Sequence, residues 1–383
     1  MLTRRNRRAA ACLTAALLIP LTLTACTTES HARARTCLTG TLAYDHRDAE
    51  AGPAKPLVTR PARNANWELW GRTSGHSDAP GRKLATGITD SGSGRFRACA
   101  KEPGTLREAH VRFRSGSTDL WRVVRSRTSQ QEYAFDSPSR RDVSADQSLG
   151  TVKVPAAMSN AWHITDTLNL LYWKRDNPTS ACWTRRQVTG RCDQLTFVWT
   201  RREAAEGAGY FDLGGTNRVI AAGDMTDSEH FVLHEAGHWF QWQLYGRDLP
   251  DATNCDPHYI EKRSSGTCAW TEGFADATAA YVLGDHRYVD ETGAETSLEN
   301  DATTPGWDPG DEVQGRVGGS LLDLWAKDGP DGGSWNRTLR LMASEPSADF
   351  REYFTVDRPK ASPPLSTTGS AEAIVGRHTI STR

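Results

Sequence analysis

At 383 residues the chain is long enough for two domains of ordinary size, and 46 Lys and Arg against 47 Asp and Glu leave a formal charge of −1. That balance, with no basic stripe interleaved with aromatics, argues against nucleic acid as a partner. Charged residues make up 24% of the chain, which points to a well-hydrated surface around any core.

Arg4, Arg5, Arg7 and Arg8 precede an apolar stretch, Ala9 to Ala25, that is short for a bilayer-spanning helix. The pattern predicts a signal peptide over 1–25. It ends Leu23-Thr24-Ala25-Cys26, which closely resembles a bacterial lipobox. The resemblance implies cleavage before Cys26, a lipid on that cysteine, and a protein tethered to the outer face of the cytoplasmic membrane; plain secretion is the alternative. Losing the leader removes four arginines and no acid, moving the formal charge from −1 to about −5. Residues 26–36 are polar and read as the tether.

Besides Cys12 in the leader and Cys26, six cysteines remain: Cys37, Cys99, Cys182, Cys192, Cys255 and Cys268. An even number in an exported chain predicts disulfides. Of the 15 possible connectivities, sequential pairing is expected: Cys37–Cys99, Cys182–Cys192 and Cys255–Cys268. Zinc binding by these cysteines is the rival reading, and no pair has C-x-x-C spacing.

From Cys37 onward the chain alternates apolar and polar residues between Gly, Ser and Asp turns. Strands are expected at 37–44, 66–70, 95–99, 109–113 and 120–124. These predict an all-β, antiparallel sandwich over 37–136. The segment 85–96 loosely resembles the strand–turn–strand of transthyretin-like, carboxypeptidase-regulatory-like domains. No catalytic constellation falls here, so a spacer or docking module is expected. Residues 137–150 read as a linker, 151–358 as a second domain, and the Ser-, Thr- and Pro-rich 359–383 as a mobile tail.

In the second domain, 162–174 reads as a backing helix and 194–199 and 217–222 as strands, with a Gly214-Gly215 turn between them. Then comes His234-Glu235-Ala236-Gly237-His238, flanked by Phe231, Val232, Leu233, Trp239, Phe240 and Trp242. Residues four apart lie on one face of a helix, so His234 and His238 can aim both imidazoles at one metal ion. Glu235, rotated by about 100°, reaches the same space without being a ligand. Thr226 and Glu229 have the spacing of a capping box, and Gly246 is a natural stop. Downstream, 269–281 reads as an Ala-rich helix closed by Gly284, with Glu272 and Asp276 on one face. A further packing helix is expected over 313–325.

His-Glu-x-x-His followed by Glu-x-x-x-Asp on a second helix resembles the gluzincins, the thermolysin-like zinc metallopeptidases. The metzincin pattern fails, because Gln241 and Leu244 stand where Gly and His are needed. The resemblance covers the central third of the chain. It implies an α+β zincin-like catalytic domain with one catalytic Zn²⁺ held by His234, His238 and Glu272. Glu235 is then the general base acting on zinc-bound water, and Asp276 the carboxylate that holds a ligand imidazole. The gap from His238 to Glu272 is longer than usual in this class, and leaves His258, Asp256 and Glu261 as rival ligands. Tyr281, His258, Tyr259 and Arg316 are the candidate oxyanion stabilisers, with Tyr281 put forward; the alternative for Tyr281 is a core aromatic. In zincins an edge strand beside the active-site helix binds extended substrate, a role that falls by position on 217–222. The function implied is hydrolysis of protein or peptide substrates by an exported, membrane-anchored peptidase. The alternative is a non-proteolytic surface lipoprotein, either a binding module or a degenerate peptidase with structural zinc.

Overall fold

The computed structural model describes residues 36–73, 81–101, 105–187, 190–201 and 209–382. The expected signal peptide, Cys26 and the expected tether up to residue 35 lie outside these. Alternating patterns in the first third give β1 (Cys37–Arg47), β2 (Leu57–Pro61), β3 (Asn66–Thr73), β4 (Arg82–Ile88), β5 (Arg95–Cys99) and β6 (Leu106–Arg114). After β7 (Gly116–Ser117) and β8 (Trp121–Val124) come β9 (Ala134–Asp136), β10 (Arg140–Val143) and β11 (Gln147–Lys153). One sheet has β1 between β11 on one side and β2 and β5 on the other; a second runs β10-β6-β3-β4, with β9 also on β6. Period-2 burial in β6 sends Leu106, Ala109, Val111 and Phe113 inward, and Phe113 meets Phe96 of β5 edge-on at 5.1 Å. Cys37 and Cys99 are directly opposite in the β1–β5 ladder, which explains their bond.

Three expectations need correction. The sandwich is not wholly antiparallel, since β11 pairs with β1 in parallel. The expected linker, 137–150, supplies β10 and part of β11, so it is built into the sheets. The expected boundary near 136 is also crossed. β8, from the N-terminal stretch, pairs in parallel with β12 (Leu195–Thr200) in a third sheet of order β13-β14-β12-β8-β7, where β13 is Tyr210–Phe211 and β14 is Val219–Ala222. The result is a mixed α/β architecture with a core continuous across the expected boundary. The tail is ordered too. Residues Ser370–Arg377 form a helix with Ala371 and Val375 buried, and His378 bonds Asn300 and Asp323 through its two ring nitrogens.

Behind the third sheet lies α1 (Ser159–Lys174), whose Thr165 carbonyl accepts from the Trp121 indole at 2.9 Å. Then follow α2 (Glu229–Leu244), α3 (Gly266–Leu283), β15 (Arg287–Val289), β16 (Glu295–Ser297) and α4 (Gln314–Trp325). Small residues let α2, α3 and α4 approach closely. A Cβ on Gly237 would lie 3.0 Å from Ala275 of α3, and one on Gly273 would lie 2.6 Å from the Gln314 carbonyl of α4. Among the described residues no helix is long and apolar enough to cross a membrane.

Where β1 meets α1, the rings of His46 and His163 stack at 4.0 Å. His163 is fully buried and neither of its ring nitrogens has a hydrogen-bond partner among the described residues. Burial, with the charges of His46 and Arg60, pushes its pKa well below the usual histidine value. The unfolded chain therefore binds the proton more readily, and this contribution, full above about pH 6.5, is lost as pH falls below it. Glu229, raised to about 7 mainly by burial, works in the opposite sense between about 4.5 and 7, so the His163 contribution must be read as a difference. Stability of the wild type relative to His163→Phe is expected to fall below pH 6.5 by up to about 1.4 kcal/mol per unit, measured by urea unfolding. A pH-independent difference would mean that the ring is protonated in the fold.

Candidate metal centre

The N-terminal end of α2 is capped by Ser228, whose Oγ accepts from the Phe231 N–H at 3.0 Å, rather than by the expected Thr226. Gly246, with φ of +72°, follows its C-terminal end. Between these ends α2 is buried around nearly its whole circumference, so the polar side chains of the motif are held by packed surroundings. On α3, Ser265 caps the start and Gly284, with φ of +71°, the end. The Cys255–Cys268 disulfide, with 5.4 Å between its Cα atoms, fastens the α2–α3 connection to the first turn of α3. Cys182–Cys192 is formed as well, so all three sequential pairs are present.

His234, His238 and Glu272 converge. The two Nε2 atoms are 3.1 Å apart, and Glu272 Oε2 lies 3.2 Å from one and 3.3 Å from the other. The three residues make a group whose ligand atoms all fall within 4.8 Å of one another. His234 Nδ1 lies 2.8 Å from Asp276 Oδ1, and Asp276 Oδ2 accepts from Gln314 Nε2 at 3.0 Å. With His234 Nδ1–H donating to Asp276 Oδ1, Nε2 is the ring nitrogen left to face the convergence point. Glu272 Oε2 is buried and, apart from its close approach to these imidazoles, has no hydrogen-bond partner among the described residues. Burial pushes the Glu272 carboxyl up, but His238, His234 and His258 together more than reverse this and hold it well below the usual carboxylate range.

Glu235 is 5% exposed, borders the same cleft, and has one carboxylate oxygen buried without a partner among the described residues. Burial pushes its pKa up, against the pull of the two histidines. Of the rival ligands, His258 comes close, with Nε2 at 3.3 Å from Glu272 Oε2 and Nδ1 at 2.7 Å from the Cys255 carbonyl. It also groups with Cys255 and Cys268, but their disulfide leaves no thiolate to bind a metal. Glu261 also borders the cleft.

Tyr281 is not at the centre. It lies nine residues beyond Glu272, about two and a half helical turns, hence on the opposite face of α3. There its ring stacks on Trp335 at 4.6 Å, a core contact. Nor does Arg316 face the site, since it bonds Asn300 and the Asp301 and Asp308 carbonyls. Tyr210, the candidate Tyr259 and Tyr288 all line the cleft, and Tyr288 of β15 has its ring 5.7 Å from that of His234. Burial, then Asp276 and Glu235, push its pKa well above the usual tyrosine value, so the phenol keeps its proton. Tyr288 and Gln314 carry no motif of their own, and only the Thr292-Gly293 turn between β15 and β16 hints at the hairpin.

The cleft has a volume of about 1000 Å³. Its apolar wall includes Phe211, Leu213, Met225 and Phe231; its polar rim carries Asp251, Glu261, Asp290 and Glu291, with no Lys or Arg among the described lining residues. Among the described residues, the edge strand next to α2 is β13, not the expected 217–222 strand, because β13 pairs with β14 at Val219 and Ile220.

Two family descriptions match the chain: Mycolysin middle domain over residues 37–161 and Mycolysin C-terminal domain over residues 175–379. No curated protein matches it. The second of these regions spans more than half of the sequence and contains α2, α3, the β15–β16 hairpin and α4. The chain therefore belongs to the mycolysin family, of the thermolysin-like metallopeptidase class.

Proposed function

We propose that this chain is an exported zinc metallopeptidase that cleaves protein or peptide substrates, anchored to the membrane by lipid at Cys26. The observation that carries the reading is the convergence of His234, His238 and Glu272 in a cleft that Glu235 also borders. The donor set suits zinc: two imidazoles and one carboxylate, one imidazole fixed by Asp276, would hold the ion and leave it open to water. When bound, zinc supplies Lewis acidity and makes the water acidic enough to react near neutral pH.

Glu235 takes the proton of the attacking water on its carboxylate and hands it to the leaving amine. Tyr288, protonated at the cleft wall, donates to the oxygen that gains charge during attack. An extended peptide lies along β13. Apolar side chains meet the Phe211–Leu213 wall, while the four rim carboxylates favour basic ones over acidic ones.

A peptide library incubated with the zinc-loaded protein tests this. Cleavage is expected, enriched for Lys or Arg near the scissile bond, stopped by a chelator and restored by zinc. Zinc bound at one equivalent without cleavage of any peptide would support the non-proteolytic alternative instead.

A further inference from the structure

The loop between β1 and β2 reaches across to the active-site helix. Glu50 Oε1 accepts from the backbone N–H of Glu229 at 2.5 Å and of His230 at 3.1 Å, and stands 3.3 Å from His230 Nδ1. These amides are among the donors that a helix leaves unpaired at its start, so a carboxylate from the N-terminal third of the chain completes the cap of α2. Five residues on, Lys55 Nζ donates to Asp227 Oδ2 at 2.8 Å and to the Glu291 carbonyl at 2.7 Å. Lys55 holds a φ of +39°, a conformation that costs a non-glycine residue energy and persists where its contacts over-determine it.

The same loop grips the hairpin that carries Tyr288. Gly293, with φ of +80° at the turn, sits so close that a Cβ there would lie 2.4 Å from the Gly52 carbonyl carbon. Ser228, the α2 cap, donates to the Val289 carbonyl at 2.6 Å, and the His230 ring lies 6.4 Å from that of Tyr288. Helix start, loop and hairpin are thus bonded pairwise in a closed triangle.

We propose that Glu50 and Lys55 are positioning residues that hold the Tyr288 hairpin against the start of α2, which makes the N-terminal region a working part of the catalytic unit rather than a spacer. The inference rests on the peptidase reading for its effect on turnover, though not for its effect on structure. Hydrogen exchange on the full-length protein tests the structure without any activity. In Glu50→Ala, amides of 287–297 and of the first turn of α2 are expected to exchange about tenfold faster, while β3 and β6 keep their protection. Unchanged hairpin exchange, or faster exchange everywhere, would overturn the proposal.

Turnover supplies the second readout. Glu50→Ala is expected to lower kcat about tenfold with KM and zinc content kept, and Glu50→Gln, which retains an acceptor oxygen, to recover most of it. In a Tyr288→Phe background, Glu50→Ala should cost less than about twofold, because its effect passes through that phenol. Fully additive losses would overturn the route through Tyr288. A wild type that cleaves no peptide would remove the peptidase reading and leave the exchange experiment to decide the clamp.

Discussion

Replacing Glu235 by Gln is expected to lower kcat/KM by about 10²- to 10⁴-fold while leaving one equivalent of zinc bound. The amide matches the carboxylate in shape, so the 5% exposed site should accept it without a cavity. What it lacks is the ability to take up a proton. Glu235 sits on the ligand helix, but its spacing sends it past the convergence of His234, His238 and Glu272 rather than into it. Metal affinity and proton transfer are therefore separable in this one substitution. Burial of a lone carboxylate is unfavourable, so Glu235→Gln should also be no less stable than the wild type, and is expected to be slightly more so. Measuring zinc content, unfolding midpoint and kcat/KM on the same preparation checks all three. Full activity in the variant would sink the general-base role. Loss of zinc together with activity would mean instead that Glu235 is a ligand.

What could be read in the sequence was local. His234 and His238 share a face because four residues make about one turn, and the same arithmetic pairs Glu272 with Asp276 on the next helix. Cys37–Cys99, Cys182–Cys192 and Cys255–Cys268 followed from order along the chain, and β1, β3, β5, β6 and β8 from alternation. The errors were of a different kind. β8 lies beside β12 through a parallel pairing across some 70 residues, and nothing in the pattern of either strand names the other. Glu50 caps a helix about 180 residues away, where a local Thr226–Glu229 box looked sufficient. Nothing in the sequence chooses Tyr281 over His258, Tyr259 or Arg316 as oxyanion stabiliser, and the helical phase that joins Glu272 to Asp276 turns Tyr281 into the Trp335 stack, as a core aromatic. Residues 359–383 are rich in Ser, Thr and Pro, but Val375, His378 and Ile380 find buried places that composition does not announce.

Glu272→Ala and His238→Ala are each expected to abolish stoichiometric zinc binding, and Asp276→Asn to weaken affinity by about 10- to 100-fold while still permitting saturation. The ordering follows from contact. Glu272 and His238 place an atom at the convergence point, whereas Asp276 touches it only through His234 Nδ1. Stability gives an independent reading. Zinc that binds only the folded chain should stabilise the wild type by about 2.7 kcal/mol when free zinc is a hundred times its Kd, and neither ligand variant at the same zinc. Glu272 is the more informative of the two. Its Oε2 lies within 3.3 Å of three imidazoles, those of His234, His238 and His258, so this one substitution alters the surroundings of all three. If Glu272→Ala keeps a full equivalent of zinc, His258 has moved in along the connection tied by Cys255–Cys268, and adding His258→Ala should then release the metal. If zinc is lost in Glu272→Ala alone, His258 is excluded as a ligand in its own right and is left beside the carboxylate as a neighbour of the site.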